Sequence, residues 1–499
     1  MHMQIQVAAK KPGNISTDIM VLGLIGKGAS SPGWSALRDL LGSSPRALLA
    51  LQGWSGKPGE FATFPAPKGC RARLIAVGTL AERGAPDRSA VRKLALRVGA
   101  VARKTGLARV AFFLDSALMG PDNTSLEEFQ ALGEGLGYGG YVFDAHLGKK
   151  SEYGPANSVY AYFGGRSARE AMESAISDGL AIAEAQNLAR TLVNEPANIV
   201  NPESYVAMAR DLAKERGLEI TVLDSAACEA RGMNAFLSVG QGGGYESHLV
   251  HLVHKHKDAK TRVALVGKAV TFDSGGLCLK PASGQATMKM DMGGSAAVFG
   301  AIAAVAALNL PVEVHAIFAA CENMTGSKAF HTGDVITASN GKTIEVLNTD
   351  AEGRLTLADA LVYAGEFEPD FVIDLATLTG ACLVALGPNI AGLMGRNRGL
   401  LRALKAAGER ADEPLWELPL EPEYKELIKS KIADVKNIGG RWGGAITAGL
   451  FLEEFAPKGI PWAHIDIAGP AYVENASATR PFGGTGFPVR ALVEWIKTL

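Results

Sequence analysis

Four short, mainly apolar runs rich in β-branched and aromatic residues constrain this chain most: 262–266 (Arg-Val-Ala-Leu-Val), Val312–Phe318, Phe371–Leu375 and Ala463–Ile467. Runs of that length suit central strands of a mixed sheet whose two faces are both covered by helices. A second set lies upstream. Asp18–Ile25, Arg73–Val77 and Arg109–Leu114 read as strands, alternating with amphipathic stretches at Asp87–Lys104 and Ser125–His146 that read as helices. The spacing predicts an α/β protein of two domains: a smaller N-terminal α/β domain over 1–165 and a larger C-terminal domain over 194–499, built on a central mixed β-sheet flanked by helices. A connecting helix spans 166–193, with Met172, Ile176 and Leu180 on one stripe and Pro196 just beyond its end.

With 50 Lys+Arg against 51 Asp+Glu over 499 residues, the chain has no global field that would attract nucleic acid or an anionic membrane. Arg92, Lys93, Arg97, Arg103 and Lys104 gather along one predicted helix of the N-terminal domain. A solvated helix face is the simpler reading of them, and a DNA-binding groove is the alternative. The five cysteines are odd in number, far apart and free of C-x-x-C spacing, which argues against a disulfide framework and for a reducing compartment. The N-terminus lacks the apolar core of a signal peptide, so a cytoplasmic protein is expected. Two long apolar stretches, Val298–Leu310 and Val372–Met394, are interrupted by Asn309, Asp374 and Pro388, and are expected to be buried elements rather than membrane spans.

The chemistry concentrates in two segments. Asn348-Thr349-Asp350-Ala351-Glu352-Gly353-Arg354-Leu355 follows a hairpin signalled by Asn340-Gly341. If extended, it would point Asp350, Glu352 and Arg354 toward one face, either as a salt-bridged edge strand or as half of a cation site. Upstream, the strand from 262 leads into a glycine-rich loop, starting at Gly267, that carries Lys268, Asp273 and Lys280, and then Asp291. Four carboxylates, Asp273, Asp291, Asp350 and Glu352, suffice for two divalent ions when some ligands bridge. The competing reading is a buried polar network in which Lys268, Lys280 and Arg354 serve only as ion-pair partners. His248, His251, His254 and His256 cluster on a strand-like segment that is expected to be exposed. His464 reads as a buried core histidine.

The segments Val266-Gly267-Lys268, Thr271-Phe272-Asp273-Ser274-Gly275-Gly276 and Lys280-Pro281, together with Asn348–Leu355, resemble the signatures of the leucyl aminopeptidase (cytosol aminopeptidase) family. Leu192–Asn198, Asp374–Ala381, Lys436–Arg441 and Trp462–Pro470 follow the same pattern, so the resemblance covers essentially all of 194–499. It implies a metal-dependent aminopeptidase with two divalent ions per subunit, Mn2+ or Zn2+. By motif, Asp273 and Glu352 would bridge the ions, Asp350 would complete one site, and Lys268 and Asp291 the other. The resemblance further implies that Lys280 acts as electrophile toward the scissile carbonyl and that Arg354 holds a bicarbonate serving as general base. It places Met288, Asn348, Thr377, Leu378, Gly380, Ala468 and Ala471 in a pocket for leucine-like side chains. Peptides with a free N-terminus would be the substrates, and a homohexamer, a dimer of trimers, the assembly. Ala269, Ser295 and Pro488 depart from the family pattern without removing any of these ligands.

Overall fold

In a computed structural model of the chain, the described residues are 3–8, 14–26, 32–41, 45–82, 88–114, 126–162 and 169–499. They form two compact units, Met1–Glu184 and Ala185–Leu499. The predicted boundary at 165 and 166 lies outside the described residues, as do the predicted helix starts at Asp87 and Ser125. A single helix, Arg169–Asn194, runs through the division between the units.

The first unit is built on six strands: β1 (Gln4–Ala8), β2 (Ile19–Ile25), β3 (Phe61–Pro65), β4 (Leu74–Ala81), β5 (Arg109–Phe113) and β6 (Ser158–Tyr162). Their order is β1-β6-β5-β2-β4-β3, parallel except for β3 at the edge. β2, with only apolar residues and glycine, is buried for all but its last residue, and apolar clusters cover both faces of the sheet. The helices Arg88–Thr105 and Leu126–Gly139 pack so closely that a Cβ on Gly135 would lie 2.1 Å from the Arg92 carbonyl. Arg92, expected on a basic surface, is instead buried in that contact, with Nε 2.6 Å from Glu134 Oε2. Arg97 stacks over Phe61 and Lys93 donates to Ser89 Oγ, so these basic side chains do not form one open face.

The second unit holds eight strands in one sheet: β7 (Glu219–Leu223), β8 (His248–His254), β9 (Arg262–Asp273), β10 (Glu313–Asn323), β13 (Phe371–Ala376), β14 (Ala391–Gly395), β15 (Leu415–Glu417) and β17 (Trp462–Asp466). Between them, β11 (Val335–Thr337), β12 (Thr343–Glu345) and β16 (Val435–Lys436) form a small separate sheet. The large sheet is ordered β15-β14-β17-β13-β9-β10-β8-β7, with a parallel centre of β17, β13, β9 and β10 and antiparallel flanks, which is the mixed sheet the sequence predicts. The Asn340-Gly341 hairpin forms between β11 and β12, with Gly341 at φ 84°.

β9 is longer than expected. The stretch from Gly267 to Asp273 continues the strand rather than opening a loop, so Lys268 lies within the sheet. Side chains alternate along it, and Gly267 and Lys268 face opposite ways. On one side a Cβ at Gly267 would lie 2.4 Å from Ser295 Cα, in the helix Gly293–Ala307; on the other, Lys268 runs alongside Gly353, at the start of the helix Gly353–Gly365. Glycine at 267 is therefore required by the close approach of a helix. The helix Gly293–Ala307 is buried, and the apolar stretch Val372–Met394 divides into β13, the helix Gly380–Leu386 and β14. Strand β8 is buried too, contrary to expectation: His251 is 3% exposed and shares a hydrogen bond of 2.9 Å with His315 of β10.

Candidate metal centre

The predicted ligands collect toward the ends of the parallel strands, where open α/β sheets generally bind their ligands. β9 supplies Lys268 and Asp273, the loop after β9 supplies Lys280, and the short turn Met288–Met290 ends at Asp291. The second half comes from the segment after β12. It is not extended, which corrects the alternation expected for Asn348–Leu355. Asn348 Oδ1 accepts from Asp350 N at 2.9 Å, turning the chain, and Glu352 takes helical angles as the cap of Gly353–Gly365. Asn437 clamps the turn: its Oδ1 accepts from Leu347 N at 2.8 Å and its Nδ2 donates to Asn348 O at 2.6 Å.

This folding brings the predicted ligands together. Asp273, Asp350 and Glu352 each offer an oxygen within 4.8 Å of the others'. Lys268 Nζ lies 2.7 Å from Asp291 Oδ2, 2.8 Å from Asp291 Oδ1 and 2.9 Å from Glu352 Oε1. Lys280 Nζ lies 2.8 Å from Asp273 Oδ2 and pairs with Asp350 Oδ1. All but Asp350 and Lys280 are buried, and those two are half-buried.

Burial penalises charge here. It pushes Glu352 up to about 8, aided by the Asp273 carboxylate, and raises Asp291 and Asp350 above the usual carboxylate range. It would also lower both lysines, but the surrounding acids outweigh it: Asp291, Glu352 and Asp273 raise Lys268, and Asp273 and Glu352 raise Lys280. Four acids against two lysines leave the cluster short of positive charge. Asp291 Oδ2 and Glu352 Oε1 remain without a hydrogen bond; both lie within ion-pair distance of Lys268 but outside bonding alignment. Unfilled carboxylate oxygens in a buried, acid-rich cluster suit hard divalent cations. The donor set, oxygen with one amine that a bound dication would deprotonate, fits Mn2+ or Zn2+.

Arg354, also buried, leaves the acid cluster: its Nη1 donates to Asn437 O at 2.6 Å and its Nε has no partner. Burial lowers its pKa to about 10. Of the predicted pocket residues, Thr377 and Ala471 come together beside Gly293, where a Cβ would lie 3.3 Å from Thr377 Cγ2 and 3.5 Å from Ala471 Cβ. Leu378 N and Ala468 N both donate to Asp466 Oδ1. Gly380 faces open space, Met288 opens the turn that ends at Asp291, and Asn348 shapes the loop rather than any apolar wall. His464 is buried with Nδ1 2.5 Å from Asp374 Oδ1, but its Nε2 has no partner, so it is only half satisfied. Ser295 is accommodated, donating to Met292 O and accepting from Tyr205. Asn323 and Asn437, both fully buried, also border the cluster although neither is among the residues expected there from the sequence.

A family model described as the catalytic domain of the cytosol aminopeptidase family matches residues 187–493, and the N-terminal domain model of the same family matches 21–150. The chain belongs to the cytosol aminopeptidase family. A probable cytosol aminopeptidase from Synechococcus sp. (strain RCC307) is 43% identical over 469 residues, covering 93% of this chain and 92% of the relative. Among solved structures, a mutant of tomato leucine aminopeptidase superposes with a TM-score of 0.88 at 34% identity, covering all of this chain and 97% of that one. The bottromycin maturation enzyme BotP in complex with Mn superposes at 0.85 and 34% identity, covering 97% and 99%. This member of the family is accordingly a metal-dependent aminopeptidase, a hydrolase of peptide bonds, as the resemblance in the sequence implies.

Proposed function

We propose that this aminopeptidase holds two divalent ions, Mn2+ or Zn2+, and releases leucine-like residues from peptides with a free N-terminus. Asp273 and Glu352 would be shared by the two sites, Asp350 would belong to one, and Lys268 and Asp291 would belong to the other. The observation that carries this reading is the convergence of four acids on two lysines, with Asp273, Asp350 and Glu352 each offering an oxygen within 4.8 Å of the others'. When bound, the ions supply Lewis acidity and an acidified water, and a bicarbonate beside Arg354 supplies a proton acceptor. Lys280, half-buried and already set among carboxylates, donates to the carbonyl oxygen as negative charge develops on it. Asp291 faces the substrate amine, which explains removal of residues from one end only. The unpaired Arg354 Nε supports an anion there.

The side-chain pocket would be lined by Met288, Thr377, Leu378, Gly380, Ala468 and Ala471, with Asn348 beside them; small and flexible apolar positions of this kind suit a leucine-like group. We further propose a cytoplasmic homohexamer, a dimer of trimers, as the working assembly; the basic residues of the N-terminal unit support no comparable proposal for DNA. The test is Glu352→Ala, assayed after metal removal and readdition. Loss of at least about a hundredfold in kcat/KM together with lost metal is expected, and unchanged hydrolysis would remove the assignment.

A further inference from the structure

We infer that Asn323 is a positioning residue that fixes the orientation of Asp273, leaving Oδ2 of that carboxylate as the oxygen that would face both ions. The inference rests on the metal-binding reading of Asp273. Strands β9 and β10 pair in parallel and in step until Cys321 meets Val270; there the register shifts, and Asn323 comes opposite Asp273 instead of Phe272. Residues opposite one another project to the same face, so this single bulge brings the two side chains together.

The contacts are specific. Asn323 Nδ2 donates to Asp273 Oδ1 at 2.8 Å and to Thr349 O at 3.0 Å, while Gly275 N donates to the same Oδ1 at 2.8 Å. Both partners of Nδ2 are acceptors, so the amide cannot be turned over without setting oxygen against oxygen. Asp273 Oδ1 thereby takes two hydrogen bonds from the protein, while among the described residues the partner of Oδ2 is Lys280 Nζ, at 2.8 Å. Through Thr349 the same amide ties the end of β9 to the turn that carries Asp350 and Glu352. Asn323 is fully buried, and its own Oδ1 accepts no hydrogen bond, a cost that side-chain packing would not require. Groups that orient ligands in this way tune metal affinity without touching the ion.

The test uses the full chain, metal-free, titrated with Co2+ and separately with Mn2+, comparing Asn323→Ala and Asn323→Asp with the unaltered protein. Co2+ absorption reports ligand geometry, and thermal unfolding of the metal-free forms reports folding. Both variants should bind roughly ten- to hundredfold more weakly with an altered Co2+ spectrum, at an unchanged metal-free unfolding temperature. Asn323→Asp keeps the shape but places an acceptor against Asp273, so it decides the matter if Asn323→Ala fails to fold. A folded variant with unchanged affinity and spectrum overturns the inference while leaving the metal reading intact. Failure of both variants to fold also overturns it, since the residue would then serve the fold. Absence of Co2+ and Mn2+ uptake by the unaltered protein overturns both.

Discussion

Thr377 and Asp291 are joined by a hydrogen bond of 2.7 Å from the threonine hydroxyl to Oδ1, the oxygen that also accepts from Lys268 Nζ at 2.8 Å. Lys268 donates in turn to the Thr377 carbonyl at 3.2 Å. Thr377, expected in the sequence as a pocket wall, thus also holds a carboxylate of the proposed metal centre. Thr377→Val should lower metal affinity about tenfold, and Thr377→Ser should restore it. Calorimetric titration of the metal-free protein distinguishes the two; equal affinities would confine Thr377 to the pocket.

Arg354 should separate binding from turnover. Its guanidinium bonds to Asn437 O, not to a carboxylate of the cluster, and its Nε is unpaired. Arg354→Met is expected to keep its metal content, lose about a hundredfold in kcat, and no longer respond to added bicarbonate. Steady-state rates at fixed metal and varied bicarbonate check this, and a response equal to that of the unaltered enzyme would contradict the anion reading.

The buried His464 and Asp374 pair should show in stability. Burial alone would lower the imidazole, but the charge and hydrogen bond of Asp374 outweigh it and raise its pKa above the ordinary 6.5. A raised histidine contributes stability that is complete below about 6.5 and is lost as pH climbs through the raised value. The stability gap between the unaltered protein and His464→Gln should therefore shrink from pH 6 to pH 9. Asp374→Asn, which leaves a buried partner unpaired, should cost about 3–5 kcal/mol. Denaturant unfolding across that range measures both.

Metal removal should also destabilise. An ion that binds only the folded chain adds about 2.7 kcal/mol at a hundred times its dissociation constant, so chelation should lower the unfolding temperature and Mn2+ should restore it. Glu352→Ala should lose most of that response in differential scanning calorimetry.

The strands and the mixed sheet were legible because short β-rich runs alternate with helical periodicity. The proposed ligands stand out in the sequence because charged residues sit there among glycine and alanine. The geometry between them was not. Asn348–Leu355 alternates like a strand, yet the Asn348 side chain turns the backbone and Arg354 falls on a helix. Gly267-Lys268 reads as the start of a loop, but Gly267 is there to admit a helix against a strand that continues to Asp273. Asn323 closes an apolar strand and lies outside the family-like segments; the role proposed for it depends on a register shift that only the pairing of β9 with β10 reveals. The asparagine in Lys436–Arg441 was visible within a family-like segment, but its grip on the Asn348 turn is a long-range contact that periodicity cannot report.

The most direct measurement is hydrolysis of leucine nitroanilide and its N-acetylated form by metal-free protein titrated with Mn2+. The free amine should be cleaved only once Mn2+ is added, with full rate requiring a second equivalent, and the acetylated compound should remain uncleaved throughout. Equal cleavage of both compounds, or full activity without metal, would contradict a two-ion centre that recognises the substrate by its amine.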